Sequence, residues 1–301
     1  MISICIPVHN YNVVDLVTTL NAQAERDISK FEIIVMDDCS DAFFKRENEE
    51  LTNMSNVIYI ELEENVGRAR IRNQLIKKAS FNNILLMDCD AKVFDDNYLL
   101  KYIKYANQNS VVCGGTAYLK TKPAKKERLR WRYGLKREVR SAEIRQEEPY
   151  LSFTSFNFMI PKSVTDVNLF DESITEYGHE DTLFGYQLMQ KGVPITHIEN
   201  PLIHLGLDNN YIFIKKSIVA VNSLYKLLTN SDIDKDFFES IKLLRYLHKI
   251  RKSKMLWFMN LIDILFKSAF VFIITNIYAS LFLFDLIRLL EICSLEYNKY
   301  S

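Results

Sequence analysis

Three short apolar runs in this chain each end in side chains that can do chemistry. Ile2 to Ile6 leads into Pro7-Val8-His9-Asn10, Phe31 to Met36 into Asp37-Asp38-Cys39-Ser40, and Ile84 to Met87 into Asp88-Cys89-Asp90. Asp and Asn are common after strands as turn residues and helix caps, so each segment alone has a structural explanation. All three on one rim of one sheet suit a ligand site, because ligands of open α/β sheets bind beyond the carboxyl ends of the strands. Asp88 and Asp90, two apart at a strand end, can point towards one hard cation. Mg2+ or Mn2+ favours oxygen ligands and often keeps only one or two protein carboxylates, leaving positions for substrate phosphates. Such an ion neutralises a diphosphate leaving group. The alternative is an ordinary turn or cap.

Two helix starts add candidates. Asn65-Val66-Gly67-Arg68-Ala69-Arg70-Ile71-Arg72-Asn73 opens one, with Gly67 allowing close backbone approach and the helix N-terminus favouring anions. Arg68, Arg70 and Arg72 do not share one face, since alternate helical residues diverge by about 200°. Gly178-His179-Glu180-Asp181 opens another that runs to about Lys191 and stops at Gly192. Its acids are either dipole partners or include a carboxylate that acts as general base. Ser155 to Ile160 reads as a strand between these motifs. Asn157 within it is either a sugar contact or a buried core amide.

Elements in the right order stand behind these residues. Short apolar strands alternate with helical segments such as Val14 to Ala24 and Arg68 to Ala79, which predicts βαβ units and a mostly parallel sheet. The chain has 301 residues, 48% apolar, with 38 basic and 38 acidic side chains. That apolar content excludes disorder throughout, and the zero net charge argues against a nucleic-acid binder. Five cysteines, an odd number without a Cys-x-x-Cys pair, read as reduced thiols of a cytosolic protein. The N-terminus lacks the basic start and long apolar segment of an export signal.

Two stretches stand apart. Lys120 to Arg145 carries eleven Lys or Arg against three Glu, interleaved with Trp131, Tyr133 and Leu135. It is either a solvated excursion or a surface for an anionic acceptor or acidic membrane. After Leu207 the chain becomes mostly helical. The cluster Lys249, Arg251, Lys252 and Lys254 precedes Met255 to Phe266 and the uncharged run Ser268 to Phe284. Seventeen residues is short for a spanning helix, and Thr275, Asn276 and Ser280 weaken that reading. In-plane attachment to an anionic membrane face over 249–290 fits better, with helix packing as the alternative.

In combination, Ile4-Cys5-Ile6-Pro7-Val8-His9-Asn10, Asp37-Asp38-Cys39-Ser40, Asn65-x-Gly67, Arg72-Asn73, Leu86-Met87-Asp88-Cys89-Asp90 and Gly178-His179-Glu180-Asp181 resemble, in order and spacing, the family 2 glycosyltransferases. The resemblance covers about residues 2 to 206. It implies a GT-A fold, that is a Rossmann-like, mostly parallel α/β sheet flanked by helices. It also implies a nucleotide-diphosphate sugar donor and inversion at the anomeric carbon. Carried over by residue, it places Pro7, His9 and Asn10 at the nucleoside, Asp37 or Asp38 on the base (commonly a uracil edge), and Asn65, Gly67 and Arg72 near the nucleotide. Asp88 and Asp90 match the metal and diphosphate motif, with Asp90 the direct ligand. Asp181 matches the catalytic base, with Glu180, and His179 beside it, towards the acceptor. His204 stands where some relatives supply a third metal ligand, and imidazole suits Mn2+ better than Mg2+. The sequence departs from the family at His9, where Tyr or Phe is usual, and at Cys39, where Gly is usual.

The expectation is a catalytic domain over 1–212 and a helical C-terminal region over 213–301. The enzyme would use Mn2+ or Mg2+ and transfer a sugar, most simply from a UDP-sugar, to a hydroxyl of a glycan or lipid-linked glycan. It would act in the cytoplasm at the inner face of the plasma membrane. A catalytically inactive sugar- or nucleotide-binding relative would lack Asp181 or the metal carboxylates. A sugar-nucleotide nucleotidyltransferase would carry a glycine- and arginine-rich loop after strand one, and Pro7 to Asn12 contains neither residue.

Overall fold

A computed structural model of the protein describes residues 1–165, 169–173, 178–229 and 241–300. Ten strands are described: β1 (Ile2–Val8), β2 (Phe31–Asp37), β3 (Val57–Glu61), β4 (Asn83–Met87), β5 (Ala91–Lys92), β6 (Val111–Cys113), β7 (Thr116–Ala117), β8 (Asn157–Pro161), β9 (Ile195–His197) and β10 (Leu202–His204). The α-helices are α1 (Val14–Asp27), α2 (Ala42–Asn48), α3 (Arg68–Lys78), α4 (Tyr98–Ile103), α5 (Arg128–Tyr133), α6 (Ala142–Glu147), α7 (Lys162–Thr165), α8 (Glu180–Gln190), α9 (Asn210–Thr229), α10 (Lys242–Lys252), α11 (Leu256–Phe272) and α12 (Leu281–Tyr300).

The residues form two compact units. The described residues of the first fall within Met1–Leu119, Arg137–Thr175 and Glu180–Gly206. Its main sheet runs β3-β2-β1-β4-β8-β6-β9. β1 pairs in parallel with β2 and β4, and β2 with β3, as the βαβ pattern predicts. β8 enters antiparallel between β4 and β6. Period-two alternation divides the core between the two faces. Ile2, Ile4, Ile6 and Val8 pack with Leu16, Val17 and Leu20 of α1 and Leu99 of α4. Cys5, Ile34 and Leu86 pack on the other face with Ile71 and Leu75 of α3 and Phe184 and Leu188 of α8.

The first strand continues through Pro7 to Val8, where the apolar run alone predicts a stop at Ile6. Pairing with β4 ends at the Cys5–Leu86 register, whereas pairing with β2 continues to Val8–Asp37. The odd-numbered positions face β4, so the missing Pro7 donor falls where no partner remains and breaks no ladder bond.

The second unit contains residues of Lys120–Lys136 and Leu207–Ser301, together with 178–179. Its core gathers Leu129, Phe213, Ile214, Ile274, Phe284 and Ile287. The uncharged run 268–284 is broken, not one helix. Thr275 Oγ1 donates to the Val271 carbonyl at 2.8 Å and Asn276 Nδ2 to the Phe272 carbonyl at 3.1 Å. Tyr278 is extended (φ −149°) and the Ser280 hydroxyl accepts from Leu283 N, capping α12. The continuous apolar helix is Leu256–Ile277, 22 residues, long and apolar enough to cross a membrane, and almost none of its most apolar stretch is buried. It does contain Asp263 and Lys267, which pair with each other and, through Lys267, with Glu291 of α12. All five cysteines are free thiols.

Candidate functional site

The carboxyl ends of β1, β2 and β4 converge on one cavity of about 170 Å3. Pro7 and His9, Asp38, Arg68 and Arg72, and Asp88 and Asp90 line it. Asn10 (φ 52°) and Cys39 (φ 58°) turn the chain at two of these ends. Both lie in the left-handed region that glycine adopts most easily, which gives the Gly-to-Cys39 departure a backbone meaning.

The two acids after β2 have different duties. Asp37 is fully buried. Its carboxylate accepts from Ser40 N at 2.6 Å and from the Tyr59 hydroxyl at 3.3 Å. Asp37 is therefore a turn carboxylate outside the cavity lining, and of the two only Asp38 stands at the cavity. Asp38 Oδ1 and Oδ2 accept from Val66 N (2.6 Å) and Gly67 N (3.1 Å), satisfying donors at the start of α3. The Asp38 carbonyl accepts from Asn65 Nδ2 at 3.1 Å and lies 2.9 Å from His9 Nδ1. Asn10 joins the same network, its side-chain carbonyl accepting from Asp41 N at 2.8 Å. Asn10, Asn65 and Gly67 (φ 84°) thus shape the cavity from behind its lining.

Arg72 is 3% exposed and forms a 2.5 Å bond from Nη2 to Asp88 Oδ1. Arg68, four residues earlier, lies on the same helix face. Its Nη2 is 3.9 Å from Asp88 Oδ2 and its Nε donates to Glu180 Oε1 at 2.9 Å. Burial alone would raise the Asp88 carboxyl, but the two guanidiniums outweigh it and hold Asp88 below the ordinary range. Arg70 faces away and pairs with Glu172. The alternation of Arg68, Arg70 and Arg72 in the sequence hides the role of Arg68. The i,i+4 spacing of Arg68 and Arg72 was the available signal.

Both oxygens of Asp88 face arginine. Among the described residues no group of three or more His, Cys, Asp or Glu side chains is placed to hold a metal ion. The expected set of Asp88, Asp90 and His204 therefore reduces to a pair. β10 pairs antiparallel with β5, register His204–Ala91, which brings His204 Nε2 to 3.4 Å from Asp90 Oδ2. A carboxylate and an imidazole at that separation can share one divalent ion with bonds of ~2.1 Å, leaving other positions to phosphate oxygens and water. The donor set therefore fits a divalent cation.

Gly206 makes this pair possible and was not singled out from the sequence. A Cβ there would lie 1.9 Å from Asp90 Oδ2. Gly206→Ala is expected to push the Asp90 carboxylate aside. It should weaken Mn2+-dependent nucleotide binding about 10-fold or more, the range for displaced metal-site groups. Titration of nucleotide with and without Mn2+ measures this, and an unchanged Mn2+ dependence would remove Asp90 from the metal pair.

Asp181 lies in the first turn of α8, its Oδ2 accepting from Ser155 N at 3.0 Å. Desolvation, then the neighbouring Glu180 carboxylate, raises its carboxyl to about 6, against the opposing influence of Arg72 and the Ser155 hydrogen bonds. Its Oδ1 is buried without a hydrogen-bond partner among the described residues. His179 precedes α8 in the left-handed region (φ 69°) and groups with the second unit.

Asn157 requires a correction. Its Nδ2 donates to the Gly115 and Asn200 carbonyls, and its Oδ1 accepts from the Tyr98 and Tyr102 hydroxyls at 2.7 Å each. All four positions of the amide are filled, so none remains for a sugar. His197 is likewise internal. Its Nδ1 accepts from Arg145 at 2.8 Å and its Nε2 donates to the Pro149 carbonyl, and burial lowers it to about 4, keeping the ring neutral.

The family model described as Glycosyl transferase family 2 matches residues 3–166. No curated protein matches the sequence. Among solved structures, S. aureus TarS is 16% identical with a TM-score of 0.54, over 83% of this chain and 43% of that one. S. aureus TarS 1-349 in complex with UDP is 15% identical with a TM-score of 0.53, over 100% and 92%. The mannosyltransferase PcManGT from Pyrobaculum calidifontis, in complex with GDP-Man and Mn2+, is 13% identical with a TM-score of 0.62, over 99% and 87%. The chain thus spans less than half of the longer TarS chain and most of the other two. At these identities the likeness is one of fold.

Proposed function

Because the chain belongs to glycosyl transferase family 2, we propose that it is an inverting glycosyltransferase taking its sugar from a nucleoside diphosphate. The observation that carries this reading is the cavity where Asp38, two arginines and Asp90 meet, with Glu180, next to Asp181, tied to it through Arg68. Pro7, His9 and Asp38 face the nucleoside. Arg68 and Arg72 bring positive charge to the diphosphate. Asp90 and His204 would hold a Mn2+ or Mg2+ ion, which when bound neutralises charge on the leaving diphosphate. Asp181 accepts the proton of an acceptor hydroxyl as that oxygen bonds to the anomeric carbon, opposite the breaking bond to diphosphate. Glu180, held by Arg68, lies on the acceptor side. The catalytic region is assigned to 1–212 and the helical region to 213–301.

The donor class we favour is a UDP-sugar, and the acceptor a hydroxyl of a glycan or lipid-linked glycan. The setting is the cytoplasmic face of the plasma membrane, which the protein would meet peripherally through exposed residues within 249–290. Exposed Trp257, Leu261, Ile264 and Leu265 on α11, next to the basic end of α10, support that orientation.

Thermal unfolding with UDP, GDP and CMP, each with Mn2+ or a chelator, tests the donor reading. A nucleotide at about 100 times its Kd stabilises by ~2.7 kcal/mol, a shift of several degrees. One nucleotide is expected to stabilise in a Mn2+-dependent way, and Asp90→Ala should abolish that dependence. Absence of a shift with all three would contradict the assigned cavity.

A further inference from the structure

The second unit encloses a cavity of about 160 Å3 that the transfer reaction leaves unused. Lys122 and Lys125 line it from the segment before α5, and Arg128 and Arg132 from successive turns of α5. No acidic side chain lines it, and among the described residues these four cations have no ion-pair partner. The Arg132 guanidinium lies 4.6 Å from the centroid of the Tyr278 ring, and Trp131 stands beside it in the lining. Asn210 fixes the walls, its Nδ2 donating to the Lys125 and Ile274 carbonyls and its Oδ1 accepting from Leu129 N. This is the part of the basic stretch 120–145 for which the proposed chemistry has no use.

The opposite wall is the end of the apolar helix. Ile274 and Ile277 line the cavity where the α-helix passes into a five-residue π-turn, Ile273–Ile277. From there α11 runs back with an exposed apolar face, Ile264 being 72% exposed. Its charged pair Asp263–Lys267 is turned towards Glu291 of α12. Lysine and arginine without acidic partners favour phosphate oxygens. Tryptophan and tyrosine favour the headgroup level of a bilayer. A soluble phosphate needs only the cations, whereas the apolar helix leading from the same cavity is what an acyl chain requires.

We propose that this cavity receives the phosphate of an anionic lipid headgroup while α11 lies in the membrane interface. The proposal rests on the in-plane reading of the C-terminal helices and adds to it a defined phosphate site. The test is flotation of the full chain with phosphatidylcholine vesicles, with and without phosphatidylglycerol. Two variants address the site, Arg128→Gln/Arg132→Gln and the exposed pair Lys122→Glu/Lys125→Glu. Lys77→Gln/Lys78→Gln removes the same charge elsewhere as the arginine variant, Lys77→Glu/Lys78→Glu matches the Lys122/Lys125 variant, and unfolding with nucleotide reports an intact first unit.

The expected result is phosphatidylglycerol-dependent binding that falls ~10-fold or more in both site variants, at about 1 kcal/mol per basic residue, and persists in the control. Equal binding to neutral and anionic vesicles overturns the phosphate site and leaves the in-plane reading standing. Binding to neither overturns both. Unchanged vesicle binding in the site variants, with loss of stabilisation by inorganic phosphate, would assign the cavity to a soluble anion and overturn the lipid.

Discussion

Asp181→Asn is expected to lower sugar transfer by about 10²–10⁴-fold, the range for loss of a general base, while the Kd for nucleotide stays within about twofold. In the parent protein the carboxyl titrates at about 6. Only the deprotonated form accepts a proton, so turnover should rise with pH through about 6 and level off above it. The variant should lose this limb. A second readout concerns stability. The folded carboxyl is raised above its unfolded value, so the folded state holds the proton more tightly, and stability falls as pH rises between the two values. Above pH 6 the ionised, desolvated carboxylate costs on the order of 2–3 kcal/mol, and the variant should melt higher than the parent at pH 8. Wild-type turnover in Asp181→Asn would remove it as the base. An unchanged melting temperature would show that the carboxylate is not desolvated.

The second large effect is expected at Arg72. Its guanidinium is buried against Asp88. Removing one member of a buried pair leaves an uncompensated charge and typically costs about 3–5 kcal/mol. Arg72→Met should therefore lower the melting temperature by roughly 10 °C and weaken nucleotide binding. Arg72→Met/Asp88→Asn removes both charges and should recover part of the stability. If the double variant is no more stable than the single one, the pair is not the source of the loss. The same comparison separates fold from function, because the double variant is expected to regain stability without regaining affinity.

The layout of the fold was readable because it follows local rules. Alternating Ile2, Ile4 and Ile6, the acids after Met36 and Met87, and Gly67 before Arg68 fix strands, rim and helix start over a few residues each. What escaped depends on contacts between distant segments. Whether Asp37 or Asp38 faces the cavity is decided by Ser40 and by Tyr59 on the neighbouring strand. Asn157 looks like any polar residue on a strand until Tyr98, Tyr102, Gly115 and Asn200 close around it. The metal set is similar: Asp88 carries ligand chemistry in sequence, and arginines four apart on α3 take both its oxygens. The break at 278–280 depended on a π-turn that apolar content alone does not announce.

The origin of the lining residues has a consequence for how such a protein changes over evolutionary time. Every residue lining the donor cavity lies between Pro7 and Asp90, while Asp181 and His204 come from the chain's later half. On the proposed assignment, the nucleotide and the acceptor are thus read mainly by different stretches of gene. Recombination downstream of β4 can exchange the acceptor side while the nucleotide preference is inherited intact. A chimera that keeps the first ninety or so residues should retain its nucleotide choice whatever acceptor it acquires. Asp90, whose carboxylate meets His204 and clears Gly206, and Arg68, which donates to Glu180, tie the two stretches together, and at those seams they must vary in concert.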